Sequence, residues 1–178
     1  MLTALLFAAC EKEGPAGPAG PPGNANVDLY TFSLNLSAYY HYGSSDVWAE
    51  PAPSSVRNIG ANEAALVYIW MDPVVNSSEW VEQPYIHYFN GTSNFNEFFH
   101  GVEEDGDLWL YIRNSAAGQP FSTMSGALYY KVFIVTSRVL DDMHTAGIDT
   151  SSYAAVARFL SENDHLSGTA RMELTQVR

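Results

Sequence analysis

Glycine at every third position constrains the start of this chain more than any other feature. Glycines recur in this way from Gly14 to Gly23, and proline and alanine fill the positions between them. Only glycine fits the crowded axis of a collagen triple helix, which requires this repeat. The tract is too short for three chains to offset the entropy cost of ordering one another. We therefore predict a stiff polyproline II stalk of about 30 Å, with trimerisation through the tract as the alternative.

The stretch before the stalk indicates export and lipid attachment. Residues 2–9 are mostly apolar, a run too short to span a bilayer but typical of a signal-peptide core. The small residues Ala8 and Ala9 precede Cys10, and Phe7-Ala8-Ala9-Cys10 resembles a bacterial lipobox, in which the thiol receives a diacylglycerol group. We predict a signal-peptide remnant at 1–9 and lipid attachment at Cys10. The alternative is a buried N-terminal strand with a core cysteine.

Two further features bear on this anchor. No basic residue precedes the apolar run, which predicts that the true start lies upstream of Met1. Cys10 is the single cysteine of the chain, so an intramolecular disulfide is impossible. We expect residues 10–23 to form the anchor and stalk, and an exported head at 24–178 to depend on its own hydrophobic core.

The composition of the head favours strands over helices. The chain has 11 tyrosines, 9 phenylalanines and 4 tryptophans, with only 16% charged residues. Short apolar or alternating runs are separated by turn residues, among them Asn90-Gly91 and Asp105-Gly106. The predicted strands are 28–36, 64–71, 85–89, 95–100, 108–113 and 128–136, with a last strand after Gly168.

One helix is predicted near the C-terminus of the head. Tyr153, Val156, Ala157 and Leu160 have the spacing of one helical face, and Ser152 is among the residues before them that offer an N-cap. The whole pattern predicts an all-β fold, namely an antiparallel β-sandwich with one short C-terminal α-helix.

The chain resembles the collagen-like lipoproteins of Bacteroidetes. The likeness rests on the Gly-Pro tract after the lipobox cysteine and on four stretches of the head, Ala64–Ile69, Gln83–Tyr85, Tyr130–Val135 and Gly147–Val156. It implies a lipid anchor in the outer membrane and assigns no reaction. Acidic residues just after the anchor cysteine, here Glu11 and Glu13, are associated in such organisms with display on the cell surface.

Charge excludes some classes of partner. The formal net charge is −12, whereas nucleic-acid binding requires a basic surface. The same charge argues against close contact with anionic lipid. The predicted partners are therefore the membrane, through the lipid anchor, and a glycan or a protein.

No residue pattern predicts catalysis, a metal site or a cofactor. The chain has no Gly-x-Ser-x-Gly elbow and no His-Glu-x-x-His spacing. The acidic run Glu103–Asp107 suits either a calcium loop or a solvated hairpin tip, and its Asp-Gly pair favours the tip. Glu79, Glu82 and Glu97 could supply the two carboxylates of a glycosidase, but so could other pairs in a chain with 20 acids.

The aromatic residues are the most specific candidates for binding. Flat rings on one sheet face could stack on a sugar, and the predicted platform draws on Trp48, Trp80, Tyr85, Trp109 and Tyr111. The alternative is that these rings fill the core or its rims. Trp48 and Trp80 have polar neighbours in the sequence, so they are the best candidates for exposure, and Trp48, Trp80 and Tyr85 are the predicted ligand-binding residues.

The sequence thus predicts a surface-anchored lipoprotein with a non-enzymatic structural or interaction head. A carbohydrate-binding accessory module is the first alternative and a surface hydrolase the second. Exposed rings in a row would favour the carbohydrate module, and converging acids in a cleft would favour the hydrolase.

Overall fold

A computed structural model describes residues 27–42, 46–56, 58–70, 80–88, 95–115 and 126–166. This part of the chain is mostly β, with two antiparallel sheets and two short helices. The predicted signal segment, Cys10, the stalk, the Asn90-Gly91 turn and the last strand lie outside the described residues.

The strands form a four-stranded and a five-stranded sheet. They are β1 (Val27–Asn35), β2 (Tyr40–His41), β3 (Val47–Pro51), β4 (Glu63–Trp70), β5 (Val81–Glu82), β6 (Tyr85–Tyr88), β7 (Phe95–Val102), β8 (Leu108–Asn114) and β9 (Ala127–Thr136). The strand order is β1-β9-β4-β5 in the four-stranded sheet and β2-β3-β8-β7-β6 in the five-stranded sheet. A short 3-10 helix, Leu36–Ala38, follows β1.

Continuous apolar runs place β4 and β9 at the centre of the four-stranded sheet. The two strands pair antiparallel, with Val67 opposite Val132, and both residues are fully buried. Side chains of a strand alternate between its two faces, so a run that is apolar throughout requires cover on both. The strands predicted at 64–71 and 128–136 are confirmed over 64–70 and 128–136.

The two sheets share one hydrophobic core. Val67, Ile69 and Tyr130 of the four-stranded sheet belong to the same buried cluster as Phe98 and Leu110 of the five-stranded sheet. This arrangement is consistent with a β-sandwich. The strand predicted at 108–113 is confirmed as β8, and its alternate residues Leu108, Leu110 and Ile112 are all buried in this cluster.

Two helices cover the other face of the four-stranded sheet. They are α1 (Ser137–Thr145) and α2 (Tyr153–Glu162), and their buried side chains form a second cluster with β4 and β9. Helix α2 is confirmed, with Ser152 Oγ accepting a hydrogen bond from the amide of Ala155 at 3.3 Å. The expectation of a single helix is wrong, because α1 follows β9 directly. Thr136 caps α1 by accepting a hydrogen bond from the amide of Val139.

Among the residues that the structure describes, the two α-helices cover only the four-stranded sheet. Neither α1 nor α2 contributes to the hydrophobic cluster of the five-stranded sheet, although Leu36 of the 3-10 helix does, and the outer face of the five-stranded sheet carries several large exposed side chains. Strand β3, which the sequence did not predict, extends this sheet by pairing with β8 from Val47–Arg113 to Pro51–Trp109. Among the described residues, neither helix is long and apolar enough to cross a membrane.

Candidate functional site

The outer face of the five-stranded sheet carries a group of aromatic rings that we call the outer aromatic face. Its members point away from the shared core or contact rings that do; they are Tyr40, Tyr42, Tyr88, Phe95, Phe99, Trp109 and Tyr111. Tyr40, Tyr42 and Tyr88 are 45%, 50% and 60% exposed. Aromatic residues gathered on an uncovered surface mark an interaction site more often than scattered ones do.

Three rings on β7 and β8 form the centre of this face. Phe99 lies opposite Tyr111 across the strand pair, and their ring centroids are 5.0 Å apart with an interplanar angle of 12°. Tyr111 and Trp109, two residues apart on β8, have centroids 6.5 Å apart and an interplanar angle of 25°. Such stacked pairs contribute about 0.5–1.5 kcal/mol beyond the area that they bury. The rings therefore hold each other in a fixed row.

Two tyrosines close the row on the β2 side. Tyr40 meets Trp109 edge to face at 6.1 Å, and Tyr42 meets Tyr111 in the same manner at 6.3 Å. Ala49 lies between Tyr40 and Tyr111 in the strand register and is fully buried. Because this small residue lets the flanking rings close above it, the row continues across β3.

A charged pair borders the row at one end. Arg113 Nη1 lies 2.7 Å from Glu97 Oε2, and its guanidinium carbon lies 5.4 Å from the ring centroid of Phe99. An exposed ion pair of this kind contributes at most about 1 kcal/mol. Arg113 is the one basic side chain on the described part of this face, and its contacts with Glu97 and Phe99 keep it against its own sheet.

A negative environment borders the row at the other end. The hydroxyl of Tyr111 donates a hydrogen bond to Glu103 Oε1 at 2.9 Å. Partial burial, this hydrogen bond and the charge of Glu103 raise the pKa of Tyr111 to about 12. The pKa of Tyr40 is also raised, by desolvation and by the charges of Tyr42, Glu50 and Glu103. Both tyrosines are therefore neutral hydrogen-bonding groups at physiological pH.

An open depression of about 630 Å³ lies at this negative end. The described residues that line it are Tyr42, Trp109, Glu103, Glu104 and Asp105. The three acids belong to the turn between β7 and β8, where the amide of Gly106 donates to the carbonyl of Glu103 at 2.9 Å. The prediction of a solvated hairpin tip at the acidic run is confirmed by this turn and by the exposure of its acids.

The structure does not bring the predicted ligand-binding residues together. Trp48 faces inward on β3, opposite Ile112, and Tyr85 faces inward on β6, opposite Phe98. Both pack against the core shared by the two sheets. Of the predicted platform, only Trp109 and Tyr111 lie on the outer face.

Trp80 lies on the opposite side of the molecule, in the cluster beneath the helices. The ammonium group of Lys131 lies 4.8 Å from the Trp80 ring centroid and donates a hydrogen bond to the hydroxyl of Tyr153 at 2.8 Å. Lys131 is only 3% exposed, so the rings replace part of its lost hydration through cation–π attraction. In the structure, Trp80 stabilises a buried cation.

Two of the glutamates considered as a catalytic pair lie in different sheets. Glu82 lies on β5 of one sheet and Glu97 on β7 of the other, where it pairs with Arg113. Burial, and then the charge of Asp149, raises the pKa of Glu82. In the part of the chain that the structure describes, no three histidine, cysteine, aspartate or glutamate side chains could hold one metal ion. Glu79 lies outside the described residues.

Sequence reasoning missed Tyr40, Tyr42 and Phe99 as members of the binding surface. A signal for part of the face was present in β8, where Trp109, Tyr111 and Arg113 alternate with the buried Leu108, Leu110 and Ile112. Strand β2 is only two residues long, so no alternation could show the orientation of Tyr40.

Comparison with models of protein families, with curated proteins and with solved structures finds no match to this chain.

Proposed function

We propose that this protein is a lipoprotein displayed on the surface of the outer membrane, with a non-enzymatic head that binds a partner protein through the outer aromatic face. Lipid at Cys10 would hold the chain on the membrane, and the Gly-Pro stalk would place the head beyond it. The observation that carries the binding role is the aromatic face itself.

The difference between the two sheets supports this role. The four-stranded sheet has both faces covered, one by the shared core and the other by α1 and α2. The five-stranded sheet is covered on its inner face, whereas its outer face exposes Tyr40, Tyr42, Ile86 and Tyr88. Stacking between these rings stabilises the sheet, and tyrosine, tryptophan and arginine are also the residues enriched where proteins bind one another.

The orientation of the rings favours a protein partner over a sugar. At 5.0 Å and 12°, Phe99 and Tyr111 cover one face of each other, and Arg113 lies over Phe99. Ring faces that are already occupied cannot stack on a pyranose. What this part of the row offers to solvent is an apolar ridge, which suits the side chains of a partner protein.

Carbohydrate binding is the second candidate, and one observation favours it. Trp109 and Tyr111 are 6.5 Å apart with planes tilted by only 25°, which is the most open pair of the row. A glycan-array screen of the full chain tests this candidate, with Trp48→Ala and Trp80→Ala beside Trp109→Ala. Sugar binding that only Trp109→Ala abolishes would place the glycan on the outer face and displace the protein-partner proposal.

Photocrosslinking on intact cells tests the binding role. A photoreactive amino acid would replace Tyr88 on the outer face or, as the matched control, Tyr129, which is 40% exposed on the other sheet. We expect a protease-sensitive adduct from position 88 that is lost with Trp109→Ala, and none from position 129. Equal adducts from both positions, or none from position 88, would contradict the proposal.

The anchor is tested separately on the same cells. Mass spectrometry of the native N-terminus should find a peptide that begins at Cys10 and carries acyl mass. Cys10→Ser should release the head into the medium. An intact N-terminus at Met1 would overturn the anchor without affecting the assignment of the binding face.

A further inference from the structure

The negative end of the outer aromatic face combines the two chemical groups that recognise a guanidinium. The depression there presents the rings of Tyr42 and Trp109 beside the carboxylates of Glu103, Glu104 and Asp105. Aromatic rings attract cations through their quadrupole, and carboxylates accept two parallel hydrogen bonds from arginine. We propose that this depression binds an arginine side chain of the partner protein, an inference that rests on the proposed binding role.

Charge complementarity determines the choice of occupant. None of the described residues that line the depression is basic. Arg113, the one basic side chain on the described part of the face, is engaged at the other end by Glu97 and Phe99. An apolar or neutral partner that covered this end would remove water from the carboxylates without replacing it, which is costly. A basic partner replaces the lost hydration with hydrogen bonds.

The hydrogen bond between Tyr111 and Glu103 adds to the preference for a basic occupant. Glu103 accepts the hydroxyl hydrogen bond of Tyr111, which fixes one carboxylate at the rim of the depression. Desolvation is the main cause of the raised pKa of Tyr111 and of Tyr40, and the charge of Glu103 adds to both shifts. Arginine suits the site better than lysine, because its planar group can stack on a ring while its edge bonds to a carboxylate.

The position of the depression makes it a specificity element. It adjoins the apolar row through Trp109, which stacks with Tyr111. A partner that places an apolar surface over the row and an arginine at its acidic end satisfies both parts at once. Apolar contact would then supply most of the affinity, and the arginine would fix the orientation of the partner.

Binding of a hexa-arginine peptide to the full chain tests the inference. Titration at about 150 mM salt limits long-range attraction to the negatively charged chain as a whole. Two double variants remove the same charge, Glu104→Gln with Asp105→Asn at the depression and Asp141→Asn with Asp142→Asn on α1. We expect the first pair to weaken binding about tenfold and the second pair to change it less than about twofold.

Aromatic variants separate the specific site from general charge attraction. Trp109→Ala should weaken hexa-arginine binding about fivefold or more. Trp109→Phe keeps an aromatic ring at this position and should retain most of the affinity. Circular dichroism would check that each variant is folded. Equal losses from both double variants, or unchanged binding in Trp109→Ala, would overturn the inference.

The outcomes also separate this inference from the binding role on which it rests. Photocrosslinking could locate a protein on the outer face while the variants at the depression leave hexa-arginine binding unchanged. In that case only the arginine assignment fails. If a neutral hexasaccharide binds and hexa-arginine does not, the arginine assignment fails and the carbohydrate alternative is supported. If crosslinking finds nothing at the face, the binding role fails as well.

Discussion

Tyr39 and Tyr130 are 91 residues apart in the chain, and their hydroxyl groups form a hydrogen bond of 2.6 Å. Both side chains lie in the core shared by the two sheets, with exposures of 6% and 1%. The bond joins the end of the 3-10 helix to the central strand β9. The two hydroxyl groups thus serve as each other's hydrogen-bond partner inside the buried core.

Removing one hydroxyl should cost more than removing both. Tyr39→Phe leaves the Tyr130 hydroxyl buried without its partner, and we expect a loss of about 1–3 kcal/mol in the free energy of unfolding. Tyr130→Phe should behave in the same way. The double variant should lose less than either single variant, and urea denaturation of all four proteins measures this coupling. Additive losses would show that the two hydroxyls act independently.

The same pair should make stability decline at alkaline pH. Burial raises the pKa of both tyrosines, so the unfolded chain ionises first as the pH rises above about 10. The stability contributed by the neutral hydroxyls is complete below that pH and is lost towards the folded-state pKa. We expect the double phenylalanine variant to lose stability less steeply from about pH 9 to pH 11. Parallel curves for the two proteins would contradict this assignment.

Gly106 should be intolerant of any side chain. Its φ is +87°, and a Cβ there would lie 2.8 Å from the carbonyl oxygen of Ile59, whose amide donates to the carbonyl of Gly106. Gly106→Ala combines backbone strain with a clash against backbone, and we expect a loss of about 2–3 kcal/mol in thermal or urea unfolding.

Gly126 provides the matched control for this substitution. Its φ is also positive, at +131°, but a Cβ there would meet nothing within 4 Å. Gly126→Ala should therefore cost only the backbone strain, about 1 kcal/mol. Equal losses at the two positions would show that contact with Ile59 contributes nothing.

Glu82→Gln should stabilise the protein at neutral pH. Burial, followed by the charge of Asp149, raises the pKa of Glu82, so its ionised form is disfavoured in the folded state. The contribution of Glu82 to stability is therefore greatest while this carboxyl is protonated, and it falls as the pH rises through its titration. Because the group is partly exposed, we expect a gain in Tm of only about 1–2 °C, vanishing below about pH 4.

A loss of stability in Glu82→Gln that is equal at all pH values would contradict the electrostatic explanation. Asp141→Asn on α1 is a suitable comparison, because it removes one exposed carboxylate elsewhere. Its effect on Tm should be smaller and should not follow the titration of Glu82.

The sequence predicted those parts of the fold in which the local pattern of residues determines burial or backbone conformation. The apolar runs of β4 and β9 require burial on both faces, and Asp105-Gly106 supplies the positive φ of its turn. Strand β3 and helix α1 carry weaker signals. Strand β3 is five residues long with an acid and a proline, and α1 buries only Val139 and Met143.

The candidate site was less predictable because it depends on pairing between distant strands. Trp109 and Tyr111 reveal their face through alternation along β8, but Tyr40 reaches them only because β3 lies between β2 and β8. No local pattern determines that order. For the same reason, the sequence could not show that Trp48 and Trp80 pack in two different clusters.

The different roles of Trp80 and Trp109 lead to one further expectation. Trp80 packs in the cluster beneath the helices and interacts with the buried ammonium group of Lys131, so Trp80→Ala should lower the free energy of unfolding by about 2–4 kcal/mol. Trp109 lies on the outer face, and Trp109→Ala should cost about 1 kcal/mol through its lost stacking on Tyr111. Urea denaturation measures both values. If Trp109→Ala is the more destabilising change, the outer row serves mainly to hold the sheet together, and the proposed role as a binding surface is weakened.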